Sequence, residues 1–159
     1  MTEDPHRDLV RRETAISIAI NVAMSGAVFI ALFGTHGNIP VDGWGGFAAD
    51  FPPQAGAVGL MGSLIPGLLT RRRVRRSEIP AAVGRDGAPV LEHALLAALF
   101  AAAGFGGIAM LCFTNFGPET LGFAPALAIK LCFGACVALA MTPYAVRDAL
   151  CLPMAKRRF

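Results

Sequence analysis

Residues Asp50–Arg76, DFPPQAGAVGLMGSLIPGLLTRRRVRR, restrict the fold of this chain more than any other stretch. Twenty residues without charge, 51–70, lie between an acid and a run of arginines. At about 1.5 Å per helical residue, such a run matches a hydrocarbon core about 30 Å thick. Short basic segments stay on the cytoplasmic side, so the arginines also give the helix a direction. Asp50 is expected as its N-cap, with Pro52 and Pro53 in the first turn, where a missing N–H costs little. Pro66, about one turn from the inner end, predicts a bend or a loosened last turn.

Composition agrees. The 159 residues are 55% hydrophobic and only 16% charged, outside the usual soluble profile. The charge is segregated: thirteen of the fourteen Lys and Arg residues fall within 7–12, 71–85 and 147–158, and the exception is Lys130. Patches that bracket apolar stretches do not suit nucleic-acid binding, which spreads its side chains over a soluble face. They act as topology signals and, in addition, as surfaces for anionic lipid or a partner.

Three more apolar stretches follow from the same reading. The first runs from Glu13 to Gly34, the third from Glu92 to Phe113, and the fourth from Phe123 to Val146. Residues 35–50 and 114–122 are rich in turn-forming residues and contain no Lys or Arg, so both are expected outside, with Trp44 as an interfacial aromatic. The expected fold is an all-α integral membrane protein. Its four transmembrane helices form two tandem parallel helical hairpins, with both termini cytoplasmic, in the cell inner membrane. The divisions are a cytoplasmic arm (1–12), a first hairpin (13–76), a linker (77–89), a second hairpin (90–147) and a basic tail (148–159). No secretory signal peptide is apparent. The Ala- and Gly-rich centre of the third span, with Ala103 and Gly107 at four-residue spacing, predicts close helix contact.

The halves echo one another. ETAISIA from Glu13 resembles EHALLAA from Glu92; Phe51-Pro52-Pro53 resembles Phe123-Ala124-Pro125; Pro66 precedes Arg71 much as Pro143 precedes Arg147. The first hairpin carries Met24-Ser25 in its first helix, Trp44 before its second, and Pro66 followed by Arg71. In these features it resembles the bacterial membrane proteins of domain of unknown function 2798, which are built from two-helix units. The resemblance covers mainly residues 14–73 and, more faintly, 95–147. It implies a fold and a membrane location, and it carries over no catalytic or binding residue.

Candidate polar positions inside the spans are Lys130, Asn21, Gln54 and Ser63. Lys130 lies about 12 Å into the fourth helix at 1.5 Å per residue. A charge at membrane depth costs on the order of 2.5–3.5 kcal/mol unless it snorkels or is paired. Three fates are open to it: snorkelling to the outer surface, pairing with Asp50 or Glu119, or lining a polar cavity that handles anions or protons. Asn21, Ser17 and Ser25 suit hydrogen bonds between helices. Cys132 and Cys136 share a helical face, with Met110, Cys112 and Met141 on nearby turns; soft-metal passage would use such groups, but they also serve as small packing residues. His93 beside Glu92 reads as interfacial, and with no second histidine in any span there is no haem pair. Glu13 and Glu92 read as acids at helix N-termini. GxSxG, Walker, HExxH and paired CxxC motifs are absent.

No catalytic, cofactor-binding or metal site is therefore expected. The expected role is a non-enzymatic accessory or assembly subunit of a membrane complex; the alternative is an oligomeric small-solute or ion transporter with Lys130 in its cavity. The expected partners are the lipid bilayer and a second copy or larger membrane complex, without nucleic acid.

Overall fold

The computed structural model describes residues 5–35, 37–76 and 89–150. Nearly all of the expected linker, residues 151–159 of the basic tail, and His36 lie outside the described residues; residues 148–150, expected as tail, belong to the last helix. Helix α1 spans Pro5–Phe33 and α2 spans Phe51–Arg75. Helix α3, Val90–Phe100, continues through a π-helical segment, Ala101–Gly106, into α4, Gly107–Phe116, as one rod. Helix α5 spans Phe123–Leu150. The two connecting loops meet in an antiparallel ribbon, β1 (Asn38–Pro40) on β2 (Thr120–Gly122), with Ile39 opposite Leu121.

Helix α1 begins within the stretch expected as an arm, so Glu13 stands two turns inside it rather than at its N-terminus. Asp8 followed by Arg11 and Arg12 places opposite charges at three- and four-residue spacing, which favours helix there.

Among the described residues, three helical segments are long and apolar enough to cross a membrane: Arg7–Phe33, Val90–Phe116 and Phe123–Leu150. Helix α2, with 25 residues, is also long, but its glycines, prolines and four arginines leave it less apolar. Its position accounts for the difference. It lies between α5 on one side and the α3–α4 rod on the other, where small residues are more useful than large apolar ones. Helix α1 packs along α5 and makes little contact with α2; the rod packs along α2 and makes little contact with α5. The first helix of each expected hairpin thus lies on the second helix of the other.

The tightest approach is between α2 and the rod. A Cβ at Gly59 would stand 2.8 Å from Ala101 Cβ, and one at Gly106 would stand 2.8 Å from the Phe51 carbonyl oxygen. The contact residues on the rod are therefore Ala101 and Gly106, both buried. The expected pair, Ala103 and Gly107, does not make this contact: Ala103 is exposed, and a Cβ on Gly107 would meet only its own helix. The π-helical segment between them explains the correction, because its wider turn rotates the following residues off the four-residue stripe.

Burial is inverted relative to a soluble bundle. On α1, Glu13, Ser17, Asn21 and Ser25 are buried at four-residue spacing, while Ile16, Ile20, Met24 and Val28 are exposed at the same spacing. On α2, Ser63 and Thr70 are buried, and Met61, Ile65 and Leu68 are exposed. Apolar packing in the interior comes from two clusters. One is small and central, around Ala55, Ala101 and Val137; the other is aromatic, around Phe29, Phe47 and Phe51 beneath the ribbon.

Candidate functional site

Lys130 stands two turns into α5, and its side chain is only 1% exposed. Its ammonium lies 3.0 Å from Asp50 Oδ2, off the angle of a well-formed hydrogen bond, so the attraction is chiefly coulombic. It also lies 3.6 Å from the Phe51 ring centroid and 4.7 Å from that of Phe47, both within cation–π range. The loop before α2 builds this enclosure. Gly43 and Gly45 adopt positive φ, and the chain folds back so that the Phe47 N–H donates to the Pro40 carbonyl and the Ala48 N–H to that of Val41. Phe51 stacks on Phe113 with centroids 5.2 Å apart and meets Phe133 edge-on at 4.8 Å.

Of the readings of Lys130, the structure shows pairing: its buried ammonium meets a carboxylate and two ring faces. Of the two acids considered as partners, Asp50 takes the role. Glu119 is exposed on the other loop, where its carbonyl accepts the Val41 N–H. Asp50 holds the expected N-cap position, and its carbonyl accepts the Gln54 N–H, but its side chain makes no cap bond: Pro52 and Pro53 offer no N–H, and the carboxylate faces Lys130.

One turn into α2, the Gln54 amide donates to Ser25 Oγ at 2.9 Å and to the Lys130 carbonyl at 3.3 Å. This ties α1, α2 and α5 at one level. Gly134 permits it, since a Cβ there would stand 2.5 Å from Ser25 Oγ. Further along α1, Asn21 donates to the Ser17 carbonyl at 2.8 Å and to Ser17 Oγ at 3.2 Å, and Thr142 of α5 donates to the same hydroxyl at 2.8 Å. Gly62 of α2 adjoins this second layer.

The arginine-rich end closes the seam. Arg73 Nη1 donates to Glu13 Oε1 at 2.7 Å. Asp148 Oδ2 stands 3.9 Å from Arg71 Nη2 and 3.7 Å from His93 Nδ1. His93 and Asp148 line a cleft together with Ser63, which is buried and whose hydroxyl meets no partner within the protein.

The candidate residues thus do not form one site. Gln54 reaches the Lys130 backbone, Asn21 belongs to a separate layer, and Ser63 belongs to the cleft at the far end. Sequence reasoning missed Thr142 and Asp148. The signal for Asp148 was present in the echo between halves, since it follows Pro143 at the interval by which Arg71 follows Pro66. Cys112, Cys132 and Cys136 are exposed on the outside of the helices, and among the described residues no group of His, Cys, Asp and Glu converges as metal ligands do. Chemically, the seam joins some polar groups across helices: the Ser17, Ser25 and Thr142 hydroxyls are engaged with side-chain amides and one another, whereas the buried Thr14, Ser63 and Thr70 hydroxyls meet no partner within the protein. Comparison with protein-family models, with curated proteins and with solved structures gave no match.

Proposed function

We propose that this chain is a small polytopic inner-membrane protein that serves as a non-enzymatic accessory or assembly subunit of a membrane complex. The inverted burial supports the membrane reading: a bundle with serines, an asparagine and ion pairs inside and isoleucines and leucines outside matches hydrocarbon as its solvent. In the proposed arrangement α2 is a fourth span, both termini and the Arg71–Arg85 segment face the cytoplasm, and the ribbon faces out. Thirteen basic residues on one side and none in the opposite loops support this orientation.

We also read the chain as a tandem repeat of two-helix units, in line with the resemblance to domain of unknown function 2798. The swapped packing supports this, since exchanging α1 with the rod and α2 with α5 maps the main helix contacts onto themselves. Phe51 and Phe123 open their helices alike, and the strands β1 and β2 pair antiparallel, as a two-fold axis along the bundle requires.

The observation that carries the accessory role is the enclosure of Lys130. Transport through the bundle calls for a cavity that reaches this lysine, whereas it is capped by Asp50, Phe47 and Phe51, and the cleft at Ser63 lies toward the other end. A combined experiment tests the role. In native membranes solubilised in mild detergent, the chain should migrate within a larger assembly on native gels. Reconstituted alone in liposomes, it should pass neither ions nor small solutes. A flux carried by the purified chain, abolished by Lys130→Leu at unchanged thermal stability, would overturn the proposal in favour of transport.

A further inference from the structure

The loop that precedes α2 sets one large side chain apart from the protein. The Gly46 N–H donates to the Gly43 carbonyl at 3.1 Å, and Gly45, third in this four-residue turn, has φ +81°, as a type II turn requires. A Cβ at Gly46 would stand 2.5 Å from the Asp42 carbonyl oxygen, so the turn is tightly closed. Trp44 occupies its second place and is fully exposed, whereas Val41 before the turn and Phe47 after it are 1% and 0% exposed. The base of the turn is fixed as well: the Phe47 ring faces the Lys130 ammonium, and the Phe47 N–H donates to the Pro40 carbonyl. Exposure of the indole is therefore built into a seated loop.

An exposed indole suits a protein partner or a lipid surface, and its surroundings choose between them. A binding hot spot on a protein is ringed by contacts that keep water out. Trp44 is flanked by Gly43 and Gly45, which have no side chains to form such a ring. The boundary between lipid headgroups and acyl chains asks for less, since an apolar ring with one N–H donor is enough. The turn stands where that boundary falls. Residues 51–70, the uncharged part of α2, extend about 30 Å as helix, the thickness of a hydrocarbon core. Met61, Ile65 and Leu68 are exposed along one face of α2, and exposed Arg72 follows on that face past the far end of the stretch. Phe116, the last residue of α4, is exposed at the ribbon end as Trp44 is. Residues 35–50 contain no Lys or Arg, so the indole rather than a cation is left to make the contact. We propose that Trp44 is a membrane anchor: the turn seats its indole at the headgroup–acyl boundary of the leaflet at the ribbon end and fixes the depth of α2. The proposal rests on the membrane-spanning reading, with α2 as a span, and is independent of the accessory role.

Trp44 is the only tryptophan of the chain, so indole fluorescence reports on this position alone. The test reconstitutes the purified full chain, without other proteins, in phosphatidylcholine vesicles. Emission should lie to the blue of indole in water. Lipids brominated high on the acyl chain should quench it more than lipids brominated near the chain end, and iodide on both sides of the membrane should quench it weakly. Water-like emission that iodide quenches and neither lipid does would put the indole clear of the bilayer, available to a protein partner, and would overturn the proposal. Stronger quenching by the deep bromines would put it in the hydrocarbon and overturn the proposal equally. Anchoring is read separately, from the immersion depth of a spin label at Ile65→Cys in a background with the four native cysteines replaced. Trp44→Ala should shift that depth, and Trp44→Tyr, which keeps an interfacial ring, should not. An unchanged depth in Trp44→Ala would mean that the turn touches lipid without anchoring α2, against the proposal. Failure of the membrane reading itself would look different: the chain would not float with the vesicles.

Discussion

Arg71 and Asp148 hold matching places in α2 and α5, each five residues after an internal proline, Pro66 and Pro143, and their side chains meet at 3.9 Å. In a chain made of two identical halves, these positions would carry the same residue and face each other as like charges. On the proposed repeat, opposite charges at this point mark halves that have diverged to suit each other. The same division of labour appears in their first helices: Glu13 pairs with a base on α2, and His93 stands by an acid on α5.

Removing the ammonium of the enclosed pair should be costly. Lys130→Leu leaves Asp50 facing two phenyl rings, with a loss of roughly 3–5 kcal/mol as for other broken buried pairs, nearer the lower figure because Asp50 is partly exposed. Lys130→Leu combined with Asp50→Leu should recover most of that loss. Chemical unfolding of the four proteins of this double-mutant cycle in detergent measures it. A Lys130→Leu chain as stable as the wild type would show that the pair contributes nothing.

Helix approach gives a second contrast. Gly59→Ala introduces a Cβ 2.8 Å from that of Ala101 and 2.9 Å from the Ala97 carbonyl oxygen, so α2 and the rod must separate. The expected cost is about 1–3 kcal/mol, as for overpacking generally. Gly107→Ala, whose added carbon would meet only the Ala102 carbonyl oxygen at 3.8 Å, should be neutral or slightly stabilising. Thermal unfolding of both variants separates the observed contact from the four-residue stripe read from sequence.

The hydroxyl layer is a milder case. Thr142→Val removes the donor to Ser17 Oγ while keeping the shape of the side chain. Interhelical hydrogen bonds in membranes average about 0.6 kcal/mol and reach about 1.7 kcal/mol, and the loss should fall in that range. An unfolding free energy unchanged within error would place the α1–α5 contact in packing alone.

Orientation is open to direct labelling. In a background with the four cysteines replaced, Ser77→Cys should react only after the inner face is exposed, and Trp44→Cys should react from outside in intact cells. External labelling at position 77 would remove the four-span arrangement.

Much of this fold was legible because membrane helices announce themselves by charge and breakers. The starts of α2 at Phe51 and α5 at Phe123, and the halt of α2 at the arginines, were read from Asp50, the prolines and the basic run. The Lys130–Asp50 pair was among the readings because a lone lysine at depth demands a partner. What failed were features set by three-dimensional contact. The rod's contact face depends on a π-helical turn that no residue type in an Ala-Gly run marks. Asp50 holds the cap position that its neighbours announce, but Pro52 and Pro53 leave its side chain no N–H to bind, and its carboxylate's partner is eighty residues away. Ser63 stood out only as a polar residue within an apolar span; its place beside His93 and Asp148 follows from the way α3 and α5 are carried on α2.

The exchange of packing partners between halves has a consequence for biogenesis. Ser17 is bound by Thr142, 125 positions later, and Glu13 by Arg73, 60 positions later. Helix α1 leaves the ribosome well before α5, the helix it lies against. The Ser17–Thr142 contact cannot form until α5 has been made. A nascent chain halted before α5 therefore carries a first helix that lacks its main packing partner and the Thr142 donor to Ser17, while Glu13 and Ser25 have only Arg73 and Gln54 of α2 to meet. That intermediate, rather than the finished bundle, is what the membrane insertion and quality-control machinery must hold, and truncations that remove α5 should be cleared quickly while those that stop after Leu150 persist.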